Sequence, residues 1–128
     1  MVIDASAIVA VLRAEPGEDV FRRALASAPV LHMSPVNWFE VSINAEQAGR
    51  SDLRAFETLS ENLNISVVPV DEVQMRLALK AWRKYGKGRH KARLNMGDCF
   101  AYALAKSLNE PLLFRGNDFP HTDVIAAV

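Results

Sequence analysis

Residues 94–119 read LNMGDCFAYALAKSLNEPLLFRGNDF, and they spell a helix, a stop, a buried strand and a carboxylate just beyond it. Asp98, after Gly97, is placed to cap the first free N–H groups of a helix. Phe100, Ala101, Leu104, Ala105 and Leu108 then recur at helical spacing and give one apolar face. Asn109 tolerates the left-handed conformation that ends a helix, and Pro111 cannot continue one. Leu112, Leu113 and Phe114 make a short apolar run suited to a strand covered on both faces. The chain breaks at Gly116 and delivers Asp118 past the strand's carboxyl end, where open parallel α/β sheets place their ligands.

The N-terminal end makes the same move. Val2 and Ile3 read as a short buried strand that ends at Asp4, and Ala5–Arg13 is apolar and helix-compatible with Ser6 in its first turn. Glu15, Pro16 and Gly17 break the chain, and Val20, Phe21, Ala24 and Leu25 mark a second helix. Val30–Met33 is the second strand. Ser34-Pro35 starts a helix with Ser as cap and Pro at the first helical position. There Val36, Glu40, Ile43 and Gln47 share a face, so Glu40 interrupts an otherwise apolar, core-facing stripe. A carboxylate in such a place is costly unless paired or bound to a metal. A further helix over Asp52–Leu63, a strand over Ile65–Val70, and a helix capped by Asp71 with Val73, Leu77 and Trp82 or their neighbours inward complete the middle. Val124 and Ile125 suggest a last edge strand. Strands alternating with helices predict an α/β fold: a three-layer α/β/α sandwich on a mostly parallel sheet of four to five strands.

The totals agree with one domain over residues 1–128, long enough to bury a core. Half the residues are hydrophobic and 23% charged, a globular balance. No apolar run approaches the roughly 18 residues of a membrane span, and no basic segment precedes an apolar one at the start. The single Cys99 cannot form an internal disulfide, so a cytoplasmic location is expected. Net charge is zero, but between Glu72 and Asp98 there is no acid, while eight of the fifteen basic residues crowd that window. A basic stripe on a neutral protein can draw a polyanion locally; taken alone, it reads first as a solvated helix face plus a charged loop. The glycines of YGKGRH match neither common phosphate-binding motif.

In this fold Asp4 and Asp118 lie at strand carboxyl ends, Asp98 opens a helix and Glu40 points inward from another. Carboxylates held close repel, so they must be protonated or hold a cation. Oxygen donors without His or Cys favour Mg²⁺ or Mn²⁺ over Zn²⁺. Such an ion can acidify water and neutralise a phosphate oxygen, the equipment for phosphodiester hydrolysis. The basic stripe could then hold the nucleic-acid backbone.

MVIDASAIVAVL, the helix bearing Glu40, GDCFAYALAK and LLFRGNDF together resemble, in order and spacing, the acidic motifs of PIN-domain ribonucleases. The length and the YGKGRH…LNMGD stretch resemble the VapC toxins of bacterial toxin–antitoxin pairs, and the likeness covers essentially the whole chain. It implies a Mg²⁺-dependent endoribonuclease, with Mn²⁺ able to substitute, cutting structured RNA such as tRNA or ribosomal RNA. It also implies a homodimer, assembling into a heterotetramer or larger with a cognate VapB-type antitoxin. Carried over, Asp4, Glu40 and Asp98 are metal ligands, and Ser6 orients Asp4 or the site's water. The last motif departs from the T-x-D-x-D-F pattern, with Phe114 at the Thr position and Gly116 at the first Asp. Asp118 is therefore the expected fourth acid, and Asp123 the alternative. Lys87, Arg89, Lys91 and Arg93 are the expected RNA contacts, with Arg115 beside the fourth acid to steady the scissile phosphate.

A phosphoacceptor receiver domain is the main rival, with Asp71 after the third strand, but it gives Glu40 and Asp98 no role. A haloacid-dehalogenase-type phosphatase needs a second Asp where Ser6 stands. A non-catalytic interaction domain would make the acids incidental. His32 reads as a core or edge residue, His121 as a loop residue, His90 as solvated or phosphate-touching, and Trp38 and Trp82 as core or interface.

Overall fold

The computed structural model describes residues 1–128. Four two-residue strands, β1 (Val2–Ile3), β2 (His32–Met33), β3 (Ser66–Val67) and β4 (Leu112–Leu113), pair in parallel in the order β3-β2-β1-β4. Val2 stands opposite both His32 and Leu112, and Ile3 opposite Met33 and Leu113. Parallel strands share one carboxyl edge, so the residues after β1, β2 and β4 emerge side by side. Consecutive strand residues face opposite ways, and the core divides accordingly. Val2 and Leu112 join a cluster with α5 (Glu72–Tyr85) and α6 (Met96–Leu108). Ile3, Met33 and Leu113 join a second cluster with α1 (Ala5–Leu12), α2 (Glu18–Ser27), α3 (Pro35–Ala48) and α4 (Arg50–Asn62). Helices thus cover both faces of a parallel sheet, the expected three layers.

Local chemistry sets the helix ends. Asp4 caps α1 and Ser34 caps α3, with Pro35 at its first position. Asn109 ends α6 in the left-handed conformation, φ 53°. Asp71 caps α5 by accepting from the Gln74 N–H at 2.8 Å.

Four expectations need correction. The third strand is only Ser66–Val67 rather than Ile65–Val70: Pro69 has no N–H for the ladder, and its carbonyl accepts from Gln74 Nε2. Val124 and Ile125 form no strand; the terminal segment makes one parallel bridge, Leu112 to Ala126, at the sheet edge. The buried face of α5 is Gln74, Ala78, Ala81 and Tyr85, while Val73 and Trp82 are exposed. Small alanines there let α5 lie close on α6, and the bulky residues are turned outward. On α3 the buried stripe is Asn37, Val41 and Ala45, so Glu40 is not core-facing but stands on an exposed face with Phe39 and Ile43. No helix is long and apolar enough to cross a membrane.

Candidate active site

At the carboxyl edge of the sheet, Asp4, Ser6, Glu40, Asn44, Asn95, Asp98, Arg115 and Asp118 line a cleft of about 280 Å³. The four acids come from four elements: the β1 end, α3, the first turn of α6 and the loop after β4.

Asp4 is almost wholly buried. Its Oδ2 accepts from the Ser6 N–H at 2.9 Å and from Ser6 Oγ at 2.5 Å, while Oδ1 is buried with no partner. Burial pushes its pKa up, more than the Ser6 hydrogen bonds pull it down, and Asp118 adds repulsion. Ser6 Oγ also accepts from the Arg115 N–H at 2.9 Å, tying the β4 end to the start of α1.

Asp98 is not the helix cap that the sequence suggests. Asn95 is the cap, accepting from the Asp98 N–H at 2.9 Å, and Asp98 Oδ2 returns the bond by accepting from the Asn95 N–H at 3.0 Å. This reciprocal capping box orients the Asp98 carboxylate and occupies one of its oxygens. Desolvation, then repulsion from Asp4, with smaller contributions from Asp118 and Glu40, raise its pKa to about 7. Glu40 is raised by desolvation and then by Asp4. Its carboxylate rests against Gly97, where an added Cβ would lie 2.3 Å from Oε2. Asp118 is exposed and caps nothing with its side chain.

Asp123 is elsewhere. Its Oδ1 accepts from Tyr102 at 2.7 Å, and its Oδ2 pairs with Lys106 at 3.1 Å. Burial would raise its pKa, but these donors outweigh it and hold the acid below its usual range. The structure therefore brings Asp118, and not Asp123, to the other three acids. Asp123→Ala should lower stability by about 1 kcal/mol through the lost hydrogen bonds and leave the four-acid cleft unchanged, which thermal melting checks.

Arg115 is the one cation that lines the cleft, and its guanidinium pairs with Glu15. Lys87, Arg89, Lys91 and Arg93 lie on the loop from α5 to α6, outside the cleft lining; Arg89 stacks over the exposed Trp82 ring at 4.2 Å. His90 Nδ1 accepts from the Ala92 N–H at 3.0 Å, so it stitches that loop together. Trp38 packs against Phe56 in the core. Cys99 is buried, its thiol pushed up to about 11 by desolvation and Asp98. Asp71 serves as the α5 cap and lies outside the cleft where the other acids gather, so the receiver reading finds no acid site around it. Sequence reasoning missed Asn95, Asn44 and Asn37. Asn95 stands three residues before Asp98, the capping-box spacing, and Asn44 lies one helical turn after Glu40; both spacings were available.

The donor set suits a hard divalent cation: all oxygen, mutually repelling, with Asp4 Oδ1 orphaned among them. No group of three acids is gathered tightly enough to enclose an ion by itself. Mg²⁺ does not ask for that, since it retains waters and takes one or two carboxylates.

Fold and acids together define a PIN domain, and the family model of that description matches residues 1–125. The chain is 44% identical over 126 residues to ribonuclease VapC42 of Mycobacterium tuberculosis, covering 97% of this chain and 96% of that protein. It is 45% identical over 127 residues to ribonuclease VapC of Mycolicibacterium smegmatis, covering 98% of each. Its fold also matches the crystal structure of M. tuberculosis VapC20, a sarcin-ricin loop cleaving toxin, with TM-score 0.73 and 19% identity over 97% of this chain and 95% of that one. A toxin–antitoxin complex from Klebsiella pneumoniae contains a chain matching with TM-score 0.74 and 18% identity over 99% and 97%. The chain belongs to the VapC ribonuclease toxins of the PIN-domain family.

Proposed function

We propose that this protein is a Mg²⁺-dependent endoribonuclease toxin that hydrolyses phosphodiester bonds in structured RNA, tRNA or ribosomal RNA, and that Mn²⁺ substitutes. The observation that carries the reading is the gathering of Asp4, Glu40, Asp98 and Asp118 around one cleft, with three of them raised in pKa. These four acids would hold the ion. When bound, it acidifies water and neutralises charge on the phosphate oxygens. Ser6 locks the Asp4 rotamer by donating to Oδ2, leaving Oδ1 as the free oxygen. The Asn95 N–H does the same for Asp98, leaving its Oδ1 free. Arg115 supplies the cleft's positive charge and steadies the scissile phosphate. Attack by water, rather than by the ribose 2′-hydroxyl, leaves a 5′-phosphate and a 3′-hydroxyl.

The partners in this reading are RNA, a second copy of the chain, and a VapB-type antitoxin in a heterotetramer or larger. The fold match to a chain of the Klebsiella toxin–antitoxin complex supports the antitoxin. Phe39, Ile43, Leu79, Trp82 and Met96 are exposed apolar residues on α3, α5 and α6, a surface that suits protein partners. Cytoplasmic RNA as substrate places the protein in the cytoplasm, acting as one domain over residues 1–128.

The test is cleavage of total bacterial RNA by purified protein with Mg²⁺ and with EDTA. Discrete products that vanish with EDTA support the reading, and cleavage indifferent to EDTA overturns its metal dependence. For the basic loop, neutralising Lys87, Arg89 and Lys91 together should weaken RNA binding and lower the slope of log affinity against log salt by about 2, close to 0.7 per lost phosphate contact on single strands. An unchanged slope would remove the loop from RNA binding.

A further inference from the structure

Asn37 lies on the core side of α3, one helical turn before Glu40, with no exposed surface. Its Nδ2 donates to the Gly97 carbonyl at 2.8 Å, across sixty residues of sequence. Gly97 immediately precedes Asp98 in the first turn of α6. Asn37 Oδ1 is buried without a partner. An apolar side chain of the same size would bury no orphaned acceptor, so what the amide contributes is its single donor bond. That bond joins the two helices that carry Glu40 and Asp98.

Gly97 completes the contact from the other side. Its φ lies outside the left-handed region, so the backbone does not demand glycine there; the Glu40 carboxylate rests where a Cβ would go, so a larger residue at position 97 would push that side chain out of its place. A helix turn is stiff, with about 1.5 Å of rise per residue. A bond anchored at Asn37 therefore sets where Glu40 stands, just as one at Gly97 sets where Asp98 stands.

We propose that Asn37 is a positioning residue: its amide clamps α3 to the first turn of α6 and so sets the separation of the Glu40 and Asp98 carboxylates. Through that spacing it tunes the affinity of the cleft for a divalent cation. The inference rests on the reading of Glu40 and Asp98 as cation ligands. Groups that orient metal ligands typically change affinity or activity by 10- to 100-fold when removed.

The experiment measures Mn²⁺ binding by isothermal titration, RNA cleavage kinetics and thermal melting for wild type, Asn37→Leu, Asn37→Ala and Asp98→Asn. Asn37→Leu fills the volume and removes the orphaned oxygen while deleting the clamp. Its melting temperature should stay within a few degrees of wild type. Its Mn²⁺ Kd should rise at least tenfold and kcat fall by a similar factor, with KM for RNA changed less than twofold. Gly97→Ala, which displaces Glu40, should move Kd and kcat the same way. Wild-type Mn²⁺ affinity in a folded Asn37→Leu or Asn37→Ala protein overturns the proposal, and so does loss of the fold in both variants. If Asp98→Asn binds Mn²⁺ as tightly as wild type, the ligand reading itself fails and takes the clamp with it. A loss of binding in Asp98→Asn with none in the Asn37 variants defeats the clamp alone.

Discussion

Asp98→Asn is expected to abolish RNA cleavage, by about a thousandfold or more in kcat, and to raise the melting temperature of the metal-free protein at pH 8. A cation at the reacting phosphate is worth several kcal/mol of charge stabilisation, and about 4 kcal/mol corresponds to a thousandfold in rate. The fold should survive, because the Asn side-chain oxygen can still accept from the Asn95 N–H and keep the capping box closed. Stability should rise because the carboxylate is repelled by Asp4, Asp118 and Glu40 and partly desolvated. Cleavage near the wild-type rate would remove Asp98 from the chemistry. An unfolded variant would make the acid structural.

Glu40→Gln should act in the same direction with a smaller gain in stability, since Glu40 stands nearer solvent. The site's acids were legible because three of them sit at places that strand and helix punctuation marks out: the ends of β1 and β4 and the start of α6. Periodicity found the elements but not always their faces. Glu40 reads as a charge on an apolar stripe, yet that stripe is the exposed one, and the core stripe runs through Asn37, Val41 and Ala45. Counting apolar residues favours large side chains such as Val73 and Trp82, whereas close helix packing buries small ones such as Ala78 and Ala81. Asp98 stands at the helix start that the sequence marks but does not cap it, because Asn95 and Asp98 are both competent caps and only geometry ranks them. The Asn37–Gly97 bond and the Arg115–Glu15 pair join residues 60 and 100 apart in sequence. Nothing local announces such contacts, since either partner alone reads as an ordinary polar residue.

Acid repulsion in the cleft also predicts how the metal-free protein responds to pH. Asp98 has a folded-state pKa raised from 3.8 to about 7, and Asp4 and Glu40 are raised as well. In the window between those values the folded protein binds more protons than the unfolded chain. Stability must then fall as pH rises, with slope set by the difference in bound protons. The contribution is fully present below pH 3.8 and lost as pH climbs through about 7. Asp123 is shifted the opposite way, so its contribution changes only at acid pH, outside that window. For Asp98 the shift corresponds to at most about 4 kcal/mol, and solvent at this half-buried position reduces it to about 2 kcal/mol. In a chain of this size that is roughly 6 °C. Without divalent ions the protein should therefore melt several degrees higher at pH 5 than at pH 8. Millimolar Mg²⁺ should restore the difference at pH 8, where it binds the ionised acids and stabilises by mass action. It should do little at pH 5, where a proton occupies Asp98. Asp98→Asn should flatten both responses. A wild-type melting curve equally indifferent to pH and to Mg²⁺ would mean that the four acids neither repel one another as their geometry requires nor share an ion.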